Sequence, residues 1–396
     1  MSKVLEGVRV IDFTRVLAGP FCSMILADLG AEVIKIERPE TGDDTRAYGP
    51  FINGESLYFM SVNRGKKSIT LNLKNPKSVA LLKSLIKTAD VVVENFKPGV
   101  MKRLGLDYEA LSAINPRLIY AASSGFGQTG PWSQKPAYDL IVQGLSGIMS
   151  LTGTPGGKPN KVGMSIADMD AGIFAALGIM AALLQREKTG RGQLVDIAML
   201  DCMLSILENA ATRYMATGVV PEAIGNRHAI ITPFTMVEAK DGYLNIAAGN
   251  DVLFGKFAQC IGMAFLATDE RFNTNDKRLQ NWDALSALIN EATRQKNVQL
   301  WLELLEKEGI PSGPINTMDK VVENPQVLAR NMVMEMQHPV AGKVRCVGSP
   351  LKLSDSPIHS IQPSPTLGES NIDIICEITG CDVEEARRLV QEGEFH

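Results

Sequence analysis

Four histidines in 396 residues, none in an HExxH arrangement, leave little from which to build a zinc centre. Cysteine is also sparse: six residues, at positions 22, 202, 260, 346, 376 and 381, form no CxxC pair. That scatter argues against a disulfide framework and points to reduced thiols in a cytosolic protein. Charge of either sign is not in excess, with 40 Lys+Arg against 44 Asp+Glu and a net of −4, so no bulk positive field is available to hold nucleic acid. A local basic cluster can still bind a phosphorylated ligand. The start, Met1-Ser2-Lys3-Val4-Leu5-Glu6, has no apolar signal core. The longest apolar run, Ala171 to Leu184, has about fourteen residues where a membrane span needs roughly 20, so it reads as a buried helix. Neither a metal, nor a prosthetic group, nor a membrane partner is expected.

What is present is ample apolar material, 45% of the chain by count, enough for a large core and more than one domain. The first part alternates β and α patterns. Val8 to Phe13, Glu32 to Glu37, Asp90 to Glu94 and Leu118 to Ala121 read as buried strands, and Phe21 to Leu29 as a helix ended by Gly30. Strand–helix–strand order implies a doubly wound parallel sheet of the α/β class, with ligands at the carboxyl ends of the strands. Asp168 precedes the apolar run, which continues to Lys188 and is broken by Thr189-Gly190-Arg191-Gly192. A long helix is expected over Leu200 to Ala216. Tyr243 to Ala248 reads as a strand of a second, smaller domain, followed by helices that include Val298 to Glu308. After about Arg330 the pattern is short strands and extended linkers, with a closing helix over Val383 to Gln391.

Several segments carry candidate chemistry. The loop Thr14-Arg15-Val16-Leu17-Ala18-Gly19-Pro20 joins a strand to a helix, and its small residues either let backbone N–H groups approach a phosphate or carbonyl or simply form a tight turn. It is not GxGxxG, which weakens a nicotinamide-dinucleotide reading. Arg38, just after the second strand, either faces a ribose phosphate or is a solvated arginine. The cations of Asn95-Phe96-Lys97 and Lys102-Arg103 either hold a diphosphate or form a solvated helix face. Asp168 is either a reactive carboxylate or a helix N-cap, with Asp170 as its rival. Asp139 has no role readable from spacing. No GxSxG or Cys/His pattern supplies another nucleophile.

Taken together these segments resemble the class III CoA-transferases of the formyl-CoA transferase type. The likeness runs nearly full length and in order through Leu5-Glu6-Gly7-Val8-Arg9-Val10-Ile11-Asp12, Leu17-Ala18-Gly19-Pro20, Leu29-Gly30-Ala31-Glu32, Leu71-Asn72-Leu73-Lys74, Glu94-Asn95-Phe96 and Gly125-Phe126-Gly127-Gln128-Thr129-Gly130-Pro131. It continues in Lys188-Thr189-Gly190-Arg191-Gly192-Gln193, Gly225-Asn226-Arg227-His228 and Gly313-Pro314-Ile315-Asn316. The resemblance implies that Asp168 accepts the acyl group. It implies that Val16, Leu17, Ala18, Arg38, Leu71, Asn72, Leu73, Lys74, Asn95, Phe96, Lys97, Arg103, Lys135, Pro136, Ala137 and Tyr138 surround coenzyme A, which is a substrate and not a prosthetic group. It further implies a homodimer of interlocked rings. Each subunit would have a large Rossmann-like CoA domain over 1–200, a linker helix over 201–224, a smaller α+β domain over 225–325, and a linker with a C-terminal segment over 326–396 that returns to the large domain.

Two departures bear on substrate. Formyl-CoA transferases carry Gln where this chain has Leu17, which has no side-chain donor, and their extra glycine-rich stretch has no counterpart near Asn250-Asp251. The pattern, including Gly42-Asp43-Asp44-Thr45-Arg46, is closer to transferases that move CoA from acetyl-CoA or succinyl-CoA to a dicarboxylate, with oxalate one candidate acceptor. The expected mechanism is attack by Asp168, fully ionised at a reference pKa near 4, through a mixed anhydride and an aspartyl-CoA thioester. Backbone N–H groups of the Val16 to Ala18 loop would hold the oxyanion. Other readings are an acyl-CoA racemase of the same superfamily, disfavoured because Tyr138 stands where racemases have His, and a non-catalytic CoA-binding subunit. Arg227, His228 and Asn250-Asp251 either meet the acceptor acid or are structural.

Overall fold

Runs rich in Val and Ile suit a parallel sheet, since helices cover both its faces and a strand needs no polar side. In the computed structural model, which describes residues 3–358, 361–393 and 395, that sheet has six strands. They are β1 (Arg9–Asp12), β2 (Glu32–Glu37), β3 (Lys66–Thr70), β4 (Val91–Glu94), β5 (Ile119–Ser124) and β6 (Leu194–Ala198), all parallel, in the order β3-β2-β1-β4-β5-β6. Met1 and Ser2 of the polar start lie outside the described residues. Alternate side chains feed opposite cores. Ile11, Ile34, Ile36 and Val92 pack with Leu82, Leu85 and Ile86 on one face, and Val10, Val33, Val91 and Val93 with Leu26, Ala175 and Ile179 on the other. The strand order reverses direction between β1 and β4, and in such sheets ligands bind where the loops after those two strands diverge.

Two strands were not readable from periodicity. β3 begins with two lysines, and Lys66 is buried because it meets a carboxylate. β6 is the sheet's edge, partly exposed along its length, so its pattern is weak.

Helix α1 (Ala18–Asp28) starts at Ala18 and not at Phe21, which brings its N-terminus into the loop after β1. Helix α2 (Pro76–Ile86) covers one face of the sheet. After α3 (Asp139–Ser146) comes α4 (Ile166–Thr189), which begins before Asp168 and so includes it as its third residue. With 24 residues α4 is long and apolar enough to cross a membrane by length and composition, but its Ala167, Ala171 and Ala175 face is buried. The single helix expected over Leu200 to Ala216 is in fact two, α5 (Met199–Ser205) and α6 (Asn209–Thr217). They are separated where Glu208 takes φ 50°, a conformation no right-handed helix can contain.

The chain divides into two compact units, one of Met1–Ile148, Lys161–Val219 and Pro325–His396, the other of Met149–Asn160 and Val220–Asn324. In the second, an antiparallel sheet of β7 (Phe234–Ala239), β8 (Gly242–Ala247) and β9 (Ser312–Pro314) is covered by α7 (Asp251–Cys260), α8 (Trp282–Thr293) and α9 (Val298–Lys307) around Phe254, Phe257 and Trp301. In the first unit, a hairpin of β10 (Val333–His338) and β11 (Gly342–Val347) precedes α10 (Asn371–Thr379), unread in the sequence, and α11 (Val383–Gln391), which has the bounds its spacing predicts. Asn371 of α10 accepts the Thr70 N–H at the end of β3 (2.8 Å).

Glycine at position 172 permits the close approach of α4 to α1: a Cβ there would lie 2.7 Å from the Ala18 carbonyl oxygen. A helical Gly→Ala change on an exposed face gains about 1 kcal/mol. Gly172→Ala is expected to do the opposite and cost about 1–3 kcal/mol through overpacking, measured as a lower urea midpoint with an unchanged slope.

Candidate active site

The site grows from buried charges on neighbouring strands: Asp12 at the carboxyl end of β1, Lys35 within β2, and Lys66 at the start of β3. Asp12, the last residue of β1, has no exposed surface. Its carboxylate accepts from the Thr14 N–H (2.8 Å) and hydroxyl (2.5 Å), from the Ser23 hydroxyl (2.6 Å), and from Lys66 Nζ (3.1 Å). Lys35, equally buried, donates to the Thr14 carbonyl (2.7 Å) and lies 2.9 Å from Asp43. Burial opposes ionisation of Asp43, but the Lys35 ammonium and the Thr45 hydrogen bonds outweigh it and bring the carboxyl down to about 2. Asp43 is held in turn by its own N–H on Glu37 (2.9 Å), whose carboxylate also takes the Arg46 guanidinium.

These groups grip the loop after β1. Val16 sits at φ 67°, in the left-handed region that a β-branched residue rarely adopts and that costs of order 1–3 kcal/mol. Its N–H donates to Asp43 (3.2 Å). From the other side Asn95, after β4, accepts the Arg15 N–H (3.0 Å) and donates to the Arg15 carbonyl (2.8 Å). Beyond Val16, α1 starts with no side-chain cap, and among the described residues nothing accepts the N–H groups of Leu17 and Ala18. Of the backbone N–H groups in the Val16 to Ala18 loop, that of Val16 is taken by Asp43, and those of Leu17 and Ala18 remain.

A cleft of about 240 Å³ opens at this point. Val16, Leu17, Ala18, Asn95, Phe96, Lys97, Lys135, Pro136, Ala137, Tyr138 and Asp168 line it, as do Arg15, Asp44, Ser123, Ser124 and Met199. Arg38, Leu71, Asn72, Leu73, Lys74 and Arg103 do not. Arg38 is exposed and pairs with Asp44. Leu71 is in the core under β3 with Leu73 packed against it, Asn72 donates its N–H to the Phe395 carbonyl (2.9 Å), and Lys74 and Arg103 are exposed.

Asp168 is neither an N-cap nor fully ionised at neutral pH. Burial, with the Asp139 carboxylate nearby, pushes its carboxyl up to about 7. Asp139, to which spacing assigned no role, organises its setting. One Asp139 oxygen accepts the Ala167 N–H (2.9 Å), an N-terminal donor of α4, and the other accepts from Gln143 (2.7 Å). The fully buried Gln143 accepts the Val162 N–H (2.9 Å), so α3 anchors the approach to α4. Asp170 is buried beneath and does not reach the cleft lining.

Tyr58 was missed by sequence reasoning. Burial raises its phenol pKa and the Asp168 charge adds to the effect, which puts it near that carboxyl. Its ring meets Tyr48 edge-on at 5.8 Å. Ser123, Ser124 and Met199 were missed as well; recognising that Met199 follows a strand would have placed it at the sheet's carboxyl edge. Arg227, His228 and Asn250-Asp251 have local roles in the second unit. Arg227 stacks on Trp282 (5.6 Å), His228 Nδ1 accepts from the Ile230 and Ile231 N–H groups, Asn250 caps α7, and Asp251 pairs with Arg278 (2.8 Å). Among the described residues no group of three or more His, Cys, Asp and Glu side chains is placed to hold a metal ion. Chemically, the cleft offers a carboxylate, unpaired backbone donors and a cationic mouth of Arg15, Lys97 and Lys135.

Residues 5–371 match the model of CoA-transferase family III. The chain is 48% identical over 367 residues to acetyl-CoA:oxalate CoA-transferase of Acetobacter aceti, covering 92% of this chain and 93% of that protein. It is 42% identical over 381 residues to succinate–glutarate CoA-transferase of Agrobacterium fabrum, covering 94% and 95%. Among solved structures, a CAIB/BAIF family protein from Brucella suis matches with a TM-score of 0.85 and 43% identity, over 96% of this chain and 100% of that one.

The raised Asp168 carboxyl makes stability depend on pH. Between an unfolded value near 4 and a folded value of about 7, the unfolded chain releases the proton that the folded chain keeps, so stability falls as pH rises; above about 7 the penalty is complete. Asp168→Asn cannot ionise. It is expected to match wild type at pH 4 and to exceed it at pH 8 by up to about 4 kcal/mol, read from denaturant midpoints. An equal difference at both pH values would show that burial does not disfavour the charged form.

Proposed function

The chain belongs to CoA-transferase family III, and from that premise we propose that it moves CoA from acetyl-CoA or succinyl-CoA to a dicarboxylic acid with Asp168 as the covalent acyl carrier. Oxalate and glutarate, named for the two relatives, are the acceptors to try first. The observation that carries this reading is a partly buried carboxyl, Asp168, in one cleft with the uncapped N-terminus of α1 at the switch point of the sheet.

The steps exchange acyl and thiol groups without water or redox change. An Asp168 oxygen attacks the thioester carbonyl carbon, the C–S bond breaks, and CoA thiolate leaves a mixed anhydride. The thiolate then attacks the Asp168 carbonyl carbon, expelling the donor as its free carboxylate and leaving an aspartyl-CoA thioester. The acceptor carboxylate attacks that carbon and releases thiolate, which takes the acceptor acyl group and returns Asp168 to a carboxylate. A carboxylate is a weak nucleophile, so orientation must supply much of the rate, up to roughly 7–11 kcal/mol for well-placed groups. The Leu17 and Ala18 N–H groups suit each tetrahedral oxyanion, at about 3 kcal/mol apiece. Arg15, Lys97 and Lys135 suit the diphosphate of CoA. Burial strips water from the carboxylate and from the anhydride, which favours transfer over hydrolysis.

A second copy of the chain completes the proposed enzyme as a homodimer of interlocked rings. Leu140 and Ile141 on α3 and Ile173, Leu177 and Leu184 on α4 are each about half exposed or more, an apolar surface that a partner subunit would cover. Six free cysteines fit a cytosolic setting.

Asp168→Asn is expected to lower CoA exchange by about a thousandfold or more while the protein stays folded. In wild type, kcat/KM is expected to rise with pH and level off above about 7, as the carboxylate forms. Retained exchange in Asp168→Asn, or a profile flat from pH 5 to 8, would count against the carrier role.

A further inference from the structure

The left-handed Val16 needs a cause. A valine placed there relaxes to negative φ unless its surroundings forbid it. Relaxation would turn the peptide that follows and re-aim the Leu17 N–H. On its downstream side the Leu17 carbonyl accepts the Phe21 N–H (2.8 Å), but among the described residues no hydrogen bond and no side-chain cap holds the Leu17 and Ala18 N–H groups. The restraint comes from upstream and below. Asn95 holds both the N–H and the carbonyl of Arg15, fixing the peptides on either side of it, and Asp43 takes the Val16 N–H. Asp43 is itself immobile: it meets Lys35 on one side and the Thr45 N–H and hydroxyl on the other, and its backbone is tied to Glu37. It does not line the cleft, so it touches no substrate there, whereas its neighbour Asp44 does line it.

We propose that Asp43 is a positioning residue for acyl transfer, holding Val16 in its left-handed conformation and thereby aiming the Leu17 and Ala18 N–H groups at the developing oxyanion. The proposal rests on the reading of the cleft as the acyl-transfer site. Asp43 acts through one backbone hydrogen bond, and Lys35 keeps its carboxylate ionised and in place. Glycine enters the left-handed region about as readily as the right-handed one. The need for Asp43 is therefore a need created by the side chain at position 16.

That dependence gives the test. Asp43→Ala is expected to lower kcat by about 100- to 1000-fold, the worth of one misdirected donor, with KM for the acyl-CoA changed less than about threefold. Adding Val16→Gly to Asp43→Ala is expected to restore kcat at least about tenfold, because the left-handed turn no longer needs enforcing. A residue that only stabilised the fold would lower the folded fraction and Tm, leaving kcat per folded subunit unchanged in Asp43→Ala, so kcat is referred to the folded protein measured by circular dichroism. If Asp43→Ala does not fold, the loss and recovery are measured in Asp43→Ser, whose shorter side chain cannot reach the Val16 N–H in the same way, alone and with Val16→Gly. A kcat near wild type in the first variant, or no recovery on adding Val16→Gly, would overturn the proposal. Recovery by Val16→Gly alongside full activity in Asp168→Asn would uphold the positioning role and discard only the role given to Asp168.

Discussion

Two lysines and two aspartates without solvent contact, Lys35 with Asp43 and Lys66 with Asp12, set the geometry on which the rest of the site depends. Taking such charges out of water is costly, and a buried pair is weak evidence of net stabilisation. Burial pushes the Lys66 ammonium down to about 8 even with Asp12 beside it. What the network does supply is direction. Lys66 also donates to the Pro20 carbonyl in α1 and Lys35 to the Thr14 carbonyl, so the loop between β1 and α1 is fastened at both ends. A packed apolar cluster could fill the same space but could not dictate where those carbonyl and N–H groups point.

The Asp168 carboxyl and the Leu17 and Ala18 donors are held by separate supports. The charge network and Asn95 hold the loop, while Asp139 and Gln143 hold the start of α4. The helices meet directly at Gly172, where the absence of a side chain lets α4 rest against the Ala18 carbonyl. Two independently braced elements at the sheet's switch point put a poorly solvated carboxyl near backbone dipoles. That arrangement suits a reaction whose charge moves among carboxylate, oxyanion and thiolate without proton transfer to solvent.

Much of the fold was legible. Strands β1, β2, β4 and β5 announce themselves because burial on both faces selects short, mostly apolar runs, with Val and Ile in β1, β2 and β4 and Ile119 to Ala122 in β5. β3 was hidden by Lys66 and Lys67, since a buried lysine looks polar until its partner, 54 residues away at Asp12, is known. The break between α5 and α6 was equally silent, because Glu208 gives no sign of a left-handed turn. In the site, the loop at Val16, the Asn95 segment, the Lys135 to Tyr138 segment and Asp168 were readable largely through family resemblance. Asp139 was not, because its partner Ala167 lies 28 residues on. The ionisation of Asp168 was misjudged for a related reason: a reference pKa carries no knowledge of burial.

In the proposed mechanism the Asp168 carboxyl takes temporary possession of the acyl group. This step is tested most directly by starting turnover with a donor acyl-CoA and an acceptor acid labelled with oxygen-18 in its carboxylate, quenching, and mapping the peptides. The expected result is label incorporated into the peptide that contains Asp168, together with an adduct there that hydroxylamine or borohydride captures. Complete exchange of CoA with neither label nor adduct at that residue would contradict the mechanism.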